Sequence, residues 1–442
     1  MKVKRLELKG FRGFDEIVLD FDTSPQRPTV FIGVNGVGKS SILDALAILL
    51  SWLTKRIVRI EIETESDLGI GNLFSLNDCK SKNIHNKNVF GRVMINYQSE
   101  KITWAISQDF WGDESSPISW SEFDHNELGE SFDLITKIYN QLKENIHTNL
   151  PVIVYYPVTR SIVSIPLETQ DITSAKPIDS YKNTLGEGGI DFKSFFQWFR
   201  NTEDLENEKR RDNFEYEDKK LKAIKNSIYS LIPEFSNLRV RRSPLRMTVD
   251  KKIGDKVEEL TINQLSDGEK CLLAMVGDIA HRLAIANPSL DDPLQGEGIV
   301  LIDEIELHLH PQWQRKIIPR LTETFPNCQF IVTTHSPQVL SHVYSENIYI
   351  LQSTPNGIIA SQPESSYGRD SNQILENVMD VSAYPEEIEK ELLKLFRLID
   401  RNDLEGAKKL LKDISTTMEN RLDDPQLIKA GVVIKRKEIL GK

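Results

Sequence analysis

The chain has 442 residues with 39% hydrophobic and 27% charged content, which is ordinary globular composition and excludes fibrous and disordered proteins. Acidic residues outnumber basic ones by 66 to 55, giving a formal charge of −11, so any polyanion must be held by a local basic patch. The three cysteines are far apart and form no Cys-x-x-Cys pair, which argues against a disulfide framework or a zinc site and indicates a reducing compartment.

Export and membrane insertion are not expected. The N-terminal segment Met-Lys-Val-Lys-Arg carries charges where a secretory signal needs an apolar run. The longest apolar stretch, residues 42–53, is interrupted by Asp44 and is shorter than the roughly 20 residues that a membrane span requires. We therefore predict a cytoplasmic protein without a membrane partner.

The first third of the chain predicts strands, then a glycine-rich turn and a helix. The strands are predicted near 3–8 and over 17–21, 29–32, 88–108 and 151–156. Between Ile42 and Leu50 the apolar residues recur at three- and four-residue spacing, which predicts a helix with one apolar stripe against a sheet.

The composition changes in the middle of the chain and returns to α/β character in the final third. Residues 201–225 are crowded with charges and lack proline and glycine, so we predict an exposed helical arm. Further strands, separated by helices, are predicted at 299–302, 329–334 and 348–351, which indicates a mainly parallel sheet. Residues 353–370 predict a loop, and residues 385–415 predict two amphipathic helices.

Residues 33–40, Gly-Val-Asn-Gly-Val-Gly-Lys-Ser, match the phosphate-loop pattern and lie between a predicted strand and a predicted helix. In such a loop Lys39 reaches the β- and γ-phosphates, and Ser40 binds Mg²⁺. The alternative, a chance glycine turn before a helix, is disfavoured by these flanking elements. The predicted nucleotide contacts are Gly33, Asn35, Gly36, Gly38, Lys39, Ser40 and Ser41.

An acidic pair follows the apolar run 299–302, which predicts a buried strand that delivers Asp303 and Glu304 to the ligand-binding edge of the sheet. Asp303 is the predicted Mg²⁺ ligand, and Glu304 is the predicted catalytic group that polarises the attacking water. Alone, such a pair could equally be a charge cluster at a helix N-terminus. The phosphate loop upstream favours the catalytic interpretation.

Two further segments carry candidate residues. Ser266 and Glu269 open a predicted helix, and His335 follows a predicted strand. The first pair could be a capping box that needs no nucleotide, and His335 could be an ordinary strand-end histidine. His308 and His310 could suggest a metal site, but a pair at i, i+2 without a third ligand nearby is weak support for one.

The order and spacing of these four motifs resemble those of the ATP-binding-cassette ATPases. The resemblance implies that Ser266, Gly268 and Glu269 of one subunit cap the γ-phosphate bound to the phosphate loop of another, in a head-to-tail homodimer. It implies that His335 contacts the same phosphate, that Lys39 and Glu304 are catalytic, and that ATP and Mg²⁺ are bound. Residues 306–311 occupy the place of the family's dimer-contact loop.

The opening segment Leu-Glu-Leu-Lys-Gly-Phe-Arg-Gly-Phe and Asn35 resemble the RecF, Rad50 and overcoming-lysogenization-defect branch of that family, which implies that Arg12 lies near the nucleotide. The glutamine that senses Mg²⁺ in the family is not assignable. Gln98, Gln108 and the acidic stretch 63–67 are its candidates.

The remaining segments resemble the ATPase subunit of Septu-type anti-phage systems. These segments are 151–160, 191–199, 367–372, 398–403 and 423–425. The resemblance implies an ATPase that restrains or activates a separate HNH nuclease of the PtuB type.

Two other functions compete with this interpretation. A RecF-like DNA-repair ATPase would bind DNA through the basic run 239–246, which contains Arg239, Arg241, Arg242 and Arg246, and through the lysine cluster of 219–225. A solvated face explains these residues at least as well. A chain that is itself a nuclease would need a metal-carboxylate or HNH set, and the sequence shows neither.

The expected fold class is α/β, a cassette-type phosphate-loop ATPase head with a mainly parallel sheet, helices on its faces and antiparallel N-terminal strands. The expected parts are an N-terminal lobe (1–160), a mainly helical insertion (161–250), a C-terminal lobe (251–352) and a helical tail (371–442). The tail is the predicted docking surface for a partner.

Overall fold

In the computed structural model, the described residues are 1–24, 26–61, 87–111, 114–115, 125–145, 147–160, 176–185, 190–355, 357–419 and 423–440. The chain divides into two compact units, Met1–Arg369 and Asp370–Lys442. Within the described ranges, no helix combines the length and the apolar character needed to cross a membrane. The acidic stretch 63–67 and the side chain of Gln108 lie outside the described residues.

The first unit contains all the strands and seven of the helices described. Its strands are β1 (Lys2–Phe11), β2 (Phe14–Asp20), β3 (Thr29–Ile32), β4 (Lys87–Tyr97), β5 (Glu100–Trp111), β6 (Glu114–Ser115), β7 (Val152–Tyr156), β8 (Phe235–Arg242), β9 (Leu245–Ile253), β10 (Lys256–Thr261), β11 (Gly298–Ile302), β12 (Cys328–Thr333), β13 (Ile348–Thr354) and β14 (Gly357–Ser361). Its helices are α1 (Lys39–Glu61), α2 (His125–Glu144), α3 (Phe192–Asp212), α4 (Lys219–Leu231), α5 (Asp267–Ala286), α6 (Pro311–Thr324) and α7 (Pro337–Leu340).

A six-stranded sheet with the order β14-β13-β3-β12-β11-β7 forms the centre of the first unit. The strands from β13 to β7 are parallel, and β14 pairs antiparallel at the edge. Every residue of β3, β7, β11 and β12 is buried, which explains their continuous apolar runs, because a parallel sheet is covered on both faces. The predicted parallel sheet is confirmed.

Two antiparallel sheets complete the first unit. The N-terminal sheet has the order β2-β1-β4-β5-β6, and a three-stranded sheet has the order β10-β9-β8. The N-terminal sheet is joined to α1 through Trp104, whose indole N–H donates to the carbonyl oxygen of Leu49 at 3.1 Å. The predicted antiparallel strands before and after the phosphate loop are therefore confirmed.

The arm predicted over 201–225 is helical and mostly exposed, as expected, but it is not continuous. The segment is divided between α3 and α4, and Glu203 and Glu206 are buried. Glu203 accepts a hydrogen bond from the backbone N–H of Val240 (3.1 Å), and Glu206 accepts one from that of Asp218 (3.0 Å). Charged residues therefore lie inside because each one meets a donor, a pairing that composition does not reveal.

The loop predicted over 353–370 is also partly wrong, because β14 lies within it. Its residues Ile358 to Ala360 pair with Leu351 to Ser353 of β13. The strand is only five residues long and lies at the sheet edge, so the surrounding Ser, Pro and Asn residues hid its short apolar run.

The second unit contains four helices: α8 (Ser371–Asn377), α9 (Glu386–Asp400), α10 (Leu404–Thr417) and α11 (Pro425–Leu440). Three of them, α9, α10 and α11, form a small apolar core with the residues Ile388, Leu392, Leu395, Ile399, Ala407, Ile414, Leu427, Ala430 and Ile434. The spacing of these residues places one apolar stripe on each of α9 and α10. The helical character predicted for the C-terminal segment is confirmed.

Candidate functional site

Three neighbouring strands end at the same edge of the central sheet. Ile302 at the end of β11 lies opposite Val332 of β12, and Thr333 of β12 lies opposite Phe31 of β3. The segments that follow these strands carry Gly33, Asp303 and His335, respectively after β3, β11 and β12. The carboxyl edge of a parallel sheet is where such folds bind their ligands.

The phosphate loop has the backbone conformation that its glycines permit. Gly36 and Gly38 adopt φ values of +79° and +103°. A Cβ atom on Gly38 would lie 2.8 Å from the ring of Phe14, whereas one on Gly36 would meet nothing within 4 Å. The loop therefore packs against Phe14 at Gly38 and is open at Gly36.

Lys39 is buried at the base of this loop. Its ammonium group donates hydrogen bonds to the carbonyl oxygens of Gly33 (2.9 Å) and Val34 (3.0 Å). Burial lowers the pKa of Lys39, although the negative charges of Asp303, Glu304 and Glu306 oppose this shift. The ammonium group of Lys39 therefore lies close to acidic residues and within the loop that would bind a phosphate. Ser40 and Ser41 follow it in the first turn of α1.

Thr333 contacts both Asp303, the predicted Mg²⁺ ligand, and Glu304, the predicted catalytic group. Its hydroxyl donates to Oδ1 of buried Asp303 and accepts the backbone N–H of Glu304 at 2.8 Å. Glu304 adopts a φ of +45°, a conformation that costs energy for a residue with a side chain and that recurs at functional sites. Hard oxygen donors from Asp303 and Ser40 are the ligand type that Mg²⁺ prefers, so the residues present fit that ion.

Arg160 fixes the backbone that carries both carboxylates, and sequence reasoning missed it. Its guanidinium donates to the carbonyl oxygens of Asp303 (2.6 Å) and Glu304 (2.9 Å), and its Nε donates to Sγ of Cys271 in α5 (3.4 Å). The residue is only 8% exposed. One side chain therefore connects the end of β11 with α5. Its sequence signals were its place shortly after a buried strand and its position at the end of the segment 151–160, which gave no role for it.

Glu306 positions the segment that contains His335. Its carboxylate accepts hydrogen bonds from the hydroxyl of Thr334 (2.7 Å) and from the backbone N–H of His335. The next residue, Ser336, donates to Oε1 of Gln314 in α6 at 2.6 Å. His335 itself is partly exposed at this edge, which leaves its ring accessible to a ligand.

Arg12 contacts the phosphate-loop helix through Asp44. Its guanidinium donates to Oδ2 of Asp44, and the hydroxyl of Tyr155 donates to Oδ1 of the same carboxylate at 2.7 Å. Burial and the Asp44 charge raise the pKa of Tyr155. The structure thus places Arg12 against α1, with two partners that the sequence pattern did not indicate.

The segment from Ser266 to Glu269 forms a closed set of hydrogen bonds at the start of α5. Ser266 and Glu269 make the reciprocal contacts of a capping box, and Lys251 forms an ion pair with Glu269 at 2.7 Å. Burial would raise the pKa of Glu269, but the hydrogen bonds from Lys251 and Ser266 lower it below its usual value. The capping box is therefore real, and Ser266 remains exposed at the helix end.

Gly268 brings this segment against the loop after β11. A Cβ atom at Gly268 would lie 2.5 Å from the carbonyl oxygen of His308, so only glycine allows this approach. His310 caps α6 by accepting the N–H of Gln312 at 3.3 Å. Within the described ranges, no group of three His, Cys, Asp or Glu residues could hold a metal ion.

The other candidates lie away from this geometry. Gln98 lies in the turn between β4 and β5, where its side-chain amide donates to the hydroxyl of Tyr97 at 3.4 Å.

The three arginines of the basic run that lie on β8 form ion pairs with carboxylates. Arg239 and Arg241 both bind Glu259, and Arg242 binds Glu203 and Asp204. The hydrogen bond from Arg241 contributes most to lowering the pKa of Glu259 to about 2.

A family model and curated relatives match most of the chain. Residues 1–340 match the model of the AAA ATPase domain family. The retron Ec83 probable ATPase of Escherichia coli is 32% identical over 88% of this chain and 78% of its own length. The Septu protein PtuA of Bacillus thuringiensis is 25% identical over 85% of this chain and 84% of its own length. Among solved structures, the SMC head domain from Thermotoga maritima is 17% identical, covers 82% of this chain and 100% of that one, and has a TM-score of 0.40.

Proposed function

Because the chain belongs to the AAA ATPase domain family, we propose that it binds ATP with Mg²⁺ at the edge formed by β3, β12 and β11 and hydrolyses it to ADP and phosphate. The observation that carries this proposal is the convergence of Lys39, Asp303 and Glu304 at that edge. Lys39 belongs to the loop after β3, and the two carboxylates follow β11, which only β12 separates from β3. Phosphoryl transfer relies on such a cation and such carboxylates at one site.

Each residue has a role that its environment supports. Lys39 exchanges its two loop carbonyl acceptors for phosphate oxygens, and the backbone around Gly36 surrounds the phosphates. Asp303 and Ser40 would hold Mg²⁺, which supplies charge neutralisation at the phosphates when bound. Glu304 accepts the proton of the attacking water. His335, held by Glu306, donates to the γ-phosphate.

The segment 266–269 completes the site of a second copy of the chain. Ser266 lies exposed at the N-terminus of α5, where backbone N–H groups favour an anion. The segment contacts His308 of the loop that follows β11. We infer that this surface faces the phosphate loop of the partner in a head-to-tail homodimer of the cassette class.

Substitution of Glu304 by Gln tests the proposed chemistry. We expect ATP hydrolysis to fall by about 10²- to 10⁴-fold because the general base is lost, while nucleotide binding persists. Hydrolysis is measured by phosphate release, and binding by fluorescence titration with an ATP analogue. Glu323→Gln, an exposed position of α6, is the matched control. Hydrolysis at the wild-type rate in Glu304→Gln would remove Glu304 from the mechanism.

The relatives support a role in defence systems. PtuA carries the Septu name and aligns over most of this chain, and a retron ATPase aligns over a similar share. We propose that the chain acts in anti-phage defence by using ATP to control a separate HNH nuclease, which docks on the helices of 371–442. These helices expose Leu393, Ile428 and Val432.

A co-purification experiment tests the proposed partnership. The tagged full chain is co-expressed with an HNH protein of the PtuB type, and plasmid cleavage is measured for the complex and for each protein alone. We expect the two proteins to co-purify, and we expect cleavage to require the HNH protein and to respond to ATP. Cleavage by the ATPase chain alone would overturn the assignment.

The RecF-like alternative loses its main structural support. Arg239, Arg241 and Arg242 are each paired with a carboxylate, so binding DNA phosphates would first break these ion pairs. The basic run is therefore a compensated surface of the three-stranded sheet.

A further inference from the structure

Away from the proposed ATP site, the first unit contains a cavity between the turn 177–181, the first turns of α3 and the middle of α5. Its volume is about 280 Å³. The residues around it are Asp179, Ser180, Lys182, Asn183, Asp191, Ser194, Gln197, Trp198, Asp278, His281, Arg282 and Ile285. None of these residues belongs to the proposed ATP site, so the cavity needs an explanation of its own.

Three buried polar atoms at this cavity have no hydrogen-bond partner within the described residues. They are Oγ of Ser180, Nε2 of Gln197 and Nε2 of His281. Their side chains belong to residues that are 1%, 7% and 6% exposed. Buried polar groups are nearly always paired, because an unpaired one costs stability. Three unpaired groups on one cavity therefore indicate that an occupant supplies their partners.

Two of the three carboxylates around the cavity are paired with cations. Lys182 pairs with Asp179 at 2.7 Å, and Arg282 pairs with Asp278 at 2.8 Å. Arg282 also donates to two backbone carbonyl oxygens, and Asp191 caps α3. Within the described residues no uncompensated cation faces the cavity, while Asp191 adds a negative charge that no cation pairs with, so the lining disfavours an anion such as a nucleotide phosphate.

An aromatic pair contributes to the wall of the cavity. The rings of Trp198 and His281 have centroids 4.9 Å apart. Burial lowers the pKa of His281 to about 3, so its imidazole is neutral at physiological pH and offers one donor and one acceptor. Rings of this kind favour a flat, polarisable occupant.

We propose that this cavity binds a small, uncharged, planar heterocycle with carbonyl and amino groups, the chemical class of the nucleobases. The amide of Gln197 donates to a carbonyl oxygen, while Ser180 and His281 pair with ring nitrogen or amino groups. The volume lies just below the usual range of roughly 300–1,000 Å³ for ligand pockets, which suits a base or nucleoside better than a larger molecule.

Binding of nucleosides to the full-length chain tests this site. Adenosine, guanosine, cytidine and uridine are each added to the wild type, to Gln197→Leu and to Ser180→Ala. Binding is followed by saturation-transfer NMR and by the shift in the melting temperature. Gln352→Leu, an exposed position of β13, is the matched control.

We expect at least one nucleoside to bind the wild type and Gln352→Leu, and its affinity to fall about tenfold or more in Gln197→Leu, because a hydrogen bond is lost. Without ligand, Gln197→Leu should melt at or above the wild-type temperature, since an unpaired amide is removed. Ser180→Ala gives the same comparison with a smaller change of volume.

Two results would overturn the proposal. If none of the four nucleosides binds, ordered water is the occupant. If binding is equal in the wild type and Gln197→Leu, the nucleoside occupies another site, such as the proposed ATP site. Neither result bears on Glu304, so the proposed hydrolysis would stand in both cases.

Discussion

The two parts of the proposed ATP site differ in how their polar groups are occupied. In the phosphate-loop part, Lys39 donates to the carbonyl oxygens of its own loop while three carboxylates act on it. In the segment that begins at Ser266, the hydroxyl of that residue and the carboxylate of Glu269 satisfy each other, and Lys251 completes the set.

This difference indicates that the two parts have different functions. The phosphate-loop part has to exchange hydrogen bonds when a nucleotide arrives, which suits the part that binds and reacts. The part at the start of α5 is complete without a ligand, and Gly268 fixes it against His308. It can therefore be presented unchanged to a second subunit, which limits the cost of assembling the composite site.

Mixing two inactive variants tests whether the two parts act together across subunits. Among the predictions, this one has the largest expected effect. Lys39→Ala disables the phosphate loop, and Ser266→Arg blocks the exposed helix end. Each variant alone should lose ATP hydrolysis by at least about a hundredfold. In a mixture, a heterodimer keeps one intact site, because one subunit supplies the loop and the other supplies the helix end. Random pairing in a twofold dimer then restores about a quarter of the wild-type rate.

As a control, each variant is assayed alone at twice the concentration that it has in the mixture. ATP hydrolysis is measured by phosphate release. If the mixture stays as inactive as its components, the helix end does not act in trans. If Ser266→Arg alone hydrolyses ATP normally, the segment has only its capping role.

Arg160 connects the two parts within one subunit, so its substitution tests their coupling. Arg160→Lys keeps the positive charge but loses the fork that binds the carbonyl oxygens of Asp303 and Glu304. We expect kcat to fall about tenfold, which corresponds to about 1.4 kcal/mol, with KM for ATP little changed. Arg211→Lys, an exposed position of α3, is the control. If KM for ATP instead rises about tenfold and kcat is unchanged, Arg160 supports nucleotide binding and not the position of the carboxylates.

The sequence predicted the central sheet and its edge because the information there is local. The apolar run before Asp303 and the glycines of 33–38 each specify a buried strand or a turn. Arg160, Asp44 and Tyr155 escaped prediction because their importance lies in contacts between residues more than a hundred positions apart. The burial of Glu203 was missed because its partner Val240 lies 37 positions away on a different element.

Acidification should weaken the helix that carries the Ser266 segment, because α5 also contains buried His281. Burial is the main cause that lowers its pKa, from 6.5 to about 3, aided by Arg282 and Lys220 and opposed by Asp191. Below pH 6.5 the unfolded chain binds a proton that the folded chain excludes, so stability falls as the pH drops from 6.5 towards 3. At pH 5 this amounts to about 2 kcal/mol. Denaturant unfolding at pH 7 and pH 5 measures the loss, and His281→Gln should reduce it by that amount. If wild type and variant lose the same stability, other groups cause the acid sensitivity, and the two parts of the site respond to pH alike.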